Sequence, residues 1–140
     1  MKLSKSQREE LKGKFGGRCA YCGCELPEKG WHADHVEPVL RKSEVCMKAA
    51  EKGTFKLKAT GEFNRPQADR MENLYPACAP CNLMKACYSL EMFREQVSLQ
   101  VARGRKSSMN FRTAERFGLI SIVEDPVVFW FEKFEQINKI

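Results

Sequence analysis

Four cysteines fall into two pairs, Cys19-x-x-Cys22 and Cys78-x-x-Cys81, and two such knuckles can close a tetrahedral thiolate cage around one zinc ion. A saturated cage leaves no position for water, so its expected role is to supply folding energy rather than chemistry. Cys24, Cys46 and Cys87 are left over; each reads as a small thiol, with Cys24 an alternative ligand at most. Fifty-five residues separate the knuckles, far more than in a compact zinc ribbon, so an insert with a function of its own is expected between them. That insert begins Trp31-His32-Ala33-Asp34-His35-Val36-Glu37-Pro38, where a carboxylate is followed at once by an imidazole. Asn82 directly follows the second knuckle and Asn73 stands five residues before it. A zinc cage would tie these segments to the strand bearing Asp34 and His35.

The elements expected to position these residues are short. Residues 4–15 read as a helix, with Ser4 and Gln7, or Ser6 and Glu9, in a capping-box pattern and Gly13 and Gly16 at its end. Trp31 to Val39 reads as an extended run that Pro38 cuts off. A helix around 43–52 followed by a basic loop or hairpin is expected in the aperiodic stretch 40–70. Pro80 suits the first turn of a helix carrying Asn82 and Lys85. Ser89 caps a further helix in which Leu90, Phe93, Val97 and Val101 recur at spacings of three and four. A weaker helix over 109–117 ends at Gly118, and Leu119 to Val123 reads as a short strand. Asp125 and Pro126 open a final helix whose apolar stripe, Val127, Trp130, Phe131, Phe134 and Ile137, is a core-packing signal.

At 140 residues, one domain is expected, with a core over about 17–88 and a C-terminal helical extension over about 89–140. A hydrophobic fraction of 43% with 30% charged residues is ordinary for a globular protein, and no apolar run is long enough to span a bilayer. The charged N-terminal stretch carries no secretory signal, so a cytoplasmic, reducing setting is expected, in which cysteines serve metals rather than disulfides. The net charge of +6 is unevenly placed: residues 40–70 carry eight basic and four acidic side chains, 101–118 five and one. Such segments suit a polyanionic partner.

The ordered combination C-x-x-C, D-H-V-x-P, N-L-x-P-A-C-x-x-C-N-x-x-K, running from Cys19 to about Lys85, resembles the HNH, or ββα-metal, endonucleases, in the HNN variant whose last motif residue is asparagine. The flanks are similar to HNH proteins of phages and prophages. The resemblance implies an α+β fold: a ββα-metal core stapled by a four-cysteine zinc site, with flanking N- and C-terminal helices. It implies a nuclease that hydrolyses DNA phosphodiesters to 5′-phosphate and 3′-hydroxyl ends in a bacterial or phage-infected cell. His35 would then be the general base, a task that suits an imidazole with its reference pKa of about 6.5. Asp34 and Asn82 would hold a Mg²⁺ or Mn²⁺ ion through oxygen, and Asn73 would fix the loop after His35 and so the imidazole's direction. Lys85, one turn beyond Asn82, could meet a nucleic-acid phosphate, and His32 could share the strand face of Asp34. The partner implied is DNA, double-stranded and bound with little sequence choice; phage packaging proteins are a further candidate. The gap of 38 positions from His35 to Asn73 is longer than in many members. A non-catalytic zinc-dependent nucleic-acid-binding module would account equally well for the cysteines and basic segments, but not for Asp34, His35 and Asn82 together.

Overall fold

The computed structural model describes residues 1–139. In chain order the elements are α1 (Lys5–Gly13), β1 (His32–His35), β2 (Arg41–Val45), α2 (Met47–Glu51), β3 (Leu57–Phe63), β4 (Leu74–Ala77), α3 (Ala79–Lys85), α4 (Leu90–Ser98), α5 (Gln100–Ser107), α6 (Met109–Arg116) and α7 (Trp130–Ile137). The fold is mixed α+β with two small antiparallel sheets, β1 with β4 and β2 with β3. Among the described residues, no helix is long and apolar enough to cross a membrane.

Helix α1 starts where Ser4 and Gln7 satisfy each other's backbone N–H groups, at 3.1 and 2.9 Å, the reciprocal arrangement of a capping box. It buries Leu11 and leads to Phe15, 2% and 4% exposed. The first knuckle then turns at Gly23, whose φ is +79° and whose Cα is closely overlain by the Trp130 side chain. A side chain there would be strained, since its Cβ would press on Trp130 at 3.3 Å from a left-handed backbone conformation. Strand β1 pairs with β4 in the register His32↔Ala77, Asp34↔Tyr75 and His35↔Leu74. The second knuckle follows β4 directly and runs into α3, with Pro80 in its first turn.

An aromatic cluster built by Phe15, Tyr21, Tyr75, Phe93, Phe129 and Phe131 fills the core. Edge-on and offset ring pairs of this kind stabilise beyond the area they bury. Because Phe93 comes from α4 and Phe129 and Phe131 from the chain's end, residues after 89 are part of the same core as the cysteine knuckles.

Several elements depart from the sequence expectation. The final helix begins at Trp130 rather than Asp125. The N–H groups of Trp130 and Phe131 are taken by Tyr21 O and Ala20 O at 3.0 and 2.8 Å, which lays the preceding residues along the first knuckle. Glu132 then reaches back to the Phe129 N–H at 2.8 Å and starts the helix. Arg94 clamps it to α4 with two bonds to Glu132, at 2.9 and 2.6 Å. The helix expected to carry Leu90 through Val101 divides into α4 and α5, where Ser98 turns its hydroxyl onto the Glu95 carbonyl at 2.6 Å, a local bond that competes with helix continuation. Leu119 to Val123 forms no strand. In the insert, residues 43–45 belong to β2, because ladder pairing of Ser43, Glu44 and Val45 with Ala59, Lys58 and Leu57 wins over helix; of the stretch 43–52, Met47–Glu51 is helical.

Candidate functional site

The four paired cysteines converge as their spacing suggests. The Sγ atoms of Cys19, Cys22, Cys78 and Cys81 all lie within 4.8 Å of one another, and Cys22 and Cys78 are 3.7 Å apart. Tetrahedral zinc with Zn–S bonds of about 2.3 Å requires sulfurs roughly 3.8 Å apart, so the cluster fits a structural metal such as zinc. Its own electrostatics point the same way: a hydrogen bond from Cys81 pushes the Cys19 thiol down to about 4 against the effect of burial, and the same bond drives Cys81 far up. A divalent cation bound here would deprotonate the four thiols together. Cys24 is not one of the four, although its thiol lies beside those of Cys22 and Cys78.

Beside this cluster, β1, the chain from Pro38 to Arg41, and α3 with the two residues after it enclose a cleft of about 560 Å³ lined by His32, Asp34, His35, Arg41 and Asn82, among others. Asp34 is 6% exposed. Its Oδ2 accepts a 2.5 Å hydrogen bond from the Tyr21 hydroxyl and lies 3.1 Å from Lys85 Nζ. Burial nonetheless raises its pKa, outweighing the pull of Lys85 and the Tyr21 bond. Oδ1 takes no hydrogen bond among the described residues, and every buried side-chain polar atom among them has a partner. Oδ1 therefore has access to the cleft. The Asn82 side-chain amide is likewise free of hydrogen bonds among the described residues and lines the same cleft.

Lys85 corrects the expectation. It is 0% exposed, with Nζ donating to His35 O at 2.8 Å besides its pairing with Asp34, so it cannot meet a nucleic-acid phosphate. The α3 geometry that brings Asn82 to the cleft turns Lys85, three residues later, under β1. There it braces both Asp34 and the backbone of His35.

Asn73 is 7% exposed and fully engaged. Its Oδ1 accepts from Glu37 N at 2.9 Å, while Nδ2 donates to Glu37 O and Ala68 O, both at 2.8 Å; its own carbonyl accepts from Val36 N at 2.9 Å. These bonds pin the chain immediately after His35.

A residue that the motifs do not reveal completes the surroundings of His35. Asp69 Oδ1 lies 2.8 Å from His35 Nε2, and its Oδ2 meets the Met1 amino group at 2.6 Å. Although burial opposes it, these hydrogen bonds hold the Asp69 carboxyl below its usual range. An ionised Asp69 can only accept, so Nε2 is the nitrogen that carries a proton, and the tautomer this selects has its lone pair on Nδ1. Nδ1 has no hydrogen-bond partner among the described residues. Thirty-four positions separate Asp69 from His35, with no sequence pattern to link them; Tyr21, the partner of Asp34, gives no signal either.

The backbone adds one further sign. Among the described residues, the two non-glycine positions with positive φ are Leu40 at +54° and Ala86 at +46°, and both line this cleft. Such strained conformations persist where surrounding structure enforces them, and they concentrate at functional sites. Compared with family models, curated proteins and solved structures, the chain finds no match among any of them.

Proposed function

We propose that the chain is a metal-dependent DNA endonuclease of the HNH type, with β1, β4 and α3 as its ββα-metal core. The observation that carries this reading is one cleft onto which Asp34 Oδ1, the unengaged Asn82 amide and an imidazole oriented by a carboxylate all open. Asp34 and Asn82 offer hard oxygen donors fit for one Mg²⁺ or Mn²⁺ ion, which when bound would neutralise charge on the scissile phosphate and the leaving 3′ oxygen.

His35 Nδ1 takes a proton from the water that attacks phosphorus. As the new P–O bond forms, the bond to the 3′ oxygen breaks and that oxygen picks up a proton from solvent, leaving 5′-phosphate and 3′-hydroxyl ends. Asp69 keeps the ring in the tautomer that exposes Nδ1 and offsets the positive charge the ring acquires. Asn73 fixes the chain beyond His35, and Lys85 fixes its carbonyl from below, so the ring's direction is set from two sides.

The test is nicking of supercoiled plasmid with and without Mg²⁺ or Mn²⁺, comparing wild type with His35→Ala at matched zinc content. The variant is expected to keep its zinc and fold while losing cleavage by about 100-fold or more. Equal nicking by both proteins would reject His35 as the base. Metal-independent DNA binding by a wild type that never nicks would leave a zinc-stapled binding module.

A further inference from the structure

We infer that the β2–α2–β3 arm is a groove-inserting DNA clamp that feeds a duplex to the cleft; this deepens the endonuclease reading and rests on it. No residue from 40 to 67 is buried, so the arm contributes nothing to the aromatic core. It stands off the body on a base held by Asn64 N–Leu40 O and Arg65 N–Val39 O bonds of 2.8 and 2.9 Å. A lone two-stranded ribbon is marginal in water, yet this one exposes apolar side chains towards its end. Val45 and Leu57 are directly paired across the ladder and are 43% and 58% exposed; beyond them, Met47 and Phe55 are 65% and 75% exposed.

Charge indicates the occupant. Residues 41–63 hold six basic and three acidic side chains. Lys42 and Lys58 are offset by Glu62 and Glu44 at 3.6 and 3.3 Å, whereas Arg41, Lys48, Lys52 and Lys56 form no ion pair among the described residues. Lys48, Lys52 and Lys56 flank the apolar end, and Arg41 stands at the root, where it lines the cleft beside His35. Unpaired cations therefore stand at both ends of the arm, three at its far end and Arg41 at its root beside the candidate catalytic imidazole. The major groove of duplex DNA admits a two-stranded ribbon. In that position the lysines reach the flanking phosphates, while Met47 and Phe55 press on the base edges or sugars.

Binding is measured separately from cutting, by fluorescence anisotropy of a labelled duplex with zinc-loaded protein and no added Mg²⁺ or Mn²⁺, over a range of salt. The triple variant Lys48→Ala/Lys52→Ala/Lys56→Ala is expected to bind at least tenfold more weakly and to lower the salt slope by up to about three, near 0.9 for each phosphate no longer neutralised. Met47→Ala/Phe55→Ala is expected to weaken binding about fivefold with the slope unchanged, because every lysine still meets its phosphate. Both changes are confined to exposed residues, and unaltered zinc content and circular dichroism verify the fold. Wild-type duplex affinity in both variants would overturn the clamp. So would a finding that the apolar pair serves only self-association, seen by sedimentation, or only binding to anionic vesicles. Nicking by wild type with unimpaired binding by the arm variants would sink the clamp and spare the endonuclease; arm-dependent binding without any nicking would do the reverse.

Discussion

Lys85 and Asp34 form a buried ion pair, 0% and 6% exposed and 3.1 Å apart, in which only the second Asp34 oxygen opens to the cleft. Removing one partner of such a pair costs more than the pair is worth, since a desolvated charge is left behind. Lys85→Met is therefore expected to destabilise by about 3–5 kcal/mol, read from urea unfolding midpoints. The double variant Asp34→Asn/Lys85→Met should regain a large part of that loss. A single-variant cost under about 1 kcal/mol would show that the pair is solvated after all. The same residue scale separates two roles for acids at the site. Asp34 keeps one oxygen for the cleft and gives the other to Tyr21 and Lys85, whereas Asp69 spends both oxygens on its neighbours and acts on the cleft only through His35.

At the scale of elements, the C-terminal helices are held by close approaches that local propensity does not reveal. In α5, Gly104 faces the Phe111 ring of α6, and a Cβ added there would lie 2.9 Å from two ring carbons. Glycine within a helix costs about 1 kcal/mol relative to alanine, so Gly104→Ala would stabilise an isolated α5. Overpacking against a ring typically costs about 1–3 kcal/mol, and the clash falls on the inner ring atoms, which cannot swing away without moving Phe111. The balance predicts a net loss of up to about 2 kcal/mol in thermal or denaturant unfolding. A melting temperature above wild type would instead mean that α5 and α6 separate easily. The Arg94–Glu132 clamp shows the same dependence on neighbours: Glu132 caps α7 and also anchors α4, and its pKa is lowered first by the hydrogen bonds from Arg94.

For the whole molecule, the cysteine cluster is the hinge between local and global order. Cys22 and Cys78 touch across 56 positions of sequence, and the strands and helix that follow each knuckle are those that build the cleft. Loss of the metal should consequently disorder the cleft along with the cage. One zinc per chain is expected by elemental analysis. Cys78→Ser or strong chelation should abolish both the zinc and the near-ultraviolet dichroism of the aromatic core, whereas Cys24→Ser should retain them. A protein that keeps its cooperative unfolding transition after complete chelation would contradict a structural role for the site.

Much that is local was legible in the chain: the capping box at Ser4, the two knuckles with their matching spacing, the Pro80 helix start, the Ser89 cap and the turn at Gly118 each depend on residues a few positions apart. Asp34, His35 and Asn73 could be singled out because they lie between the two knuckles, and Asn82 because it directly follows the second. Beyond that range the one-dimensional text carried no signal. The Asp69–His35 contact, the burial of Lys85 under β1, and the return of residues 129–131 onto the first knuckle span 34, 50 and more than 100 positions. Whether a charged side chain faces solvent or a buried partner, and whether residues 43–45 pair as strand or coil as helix, depends on which distant backbone arrives beside them. That competition is decided by desolvation and ladder hydrogen bonding in three dimensions, after the chain has closed on itself.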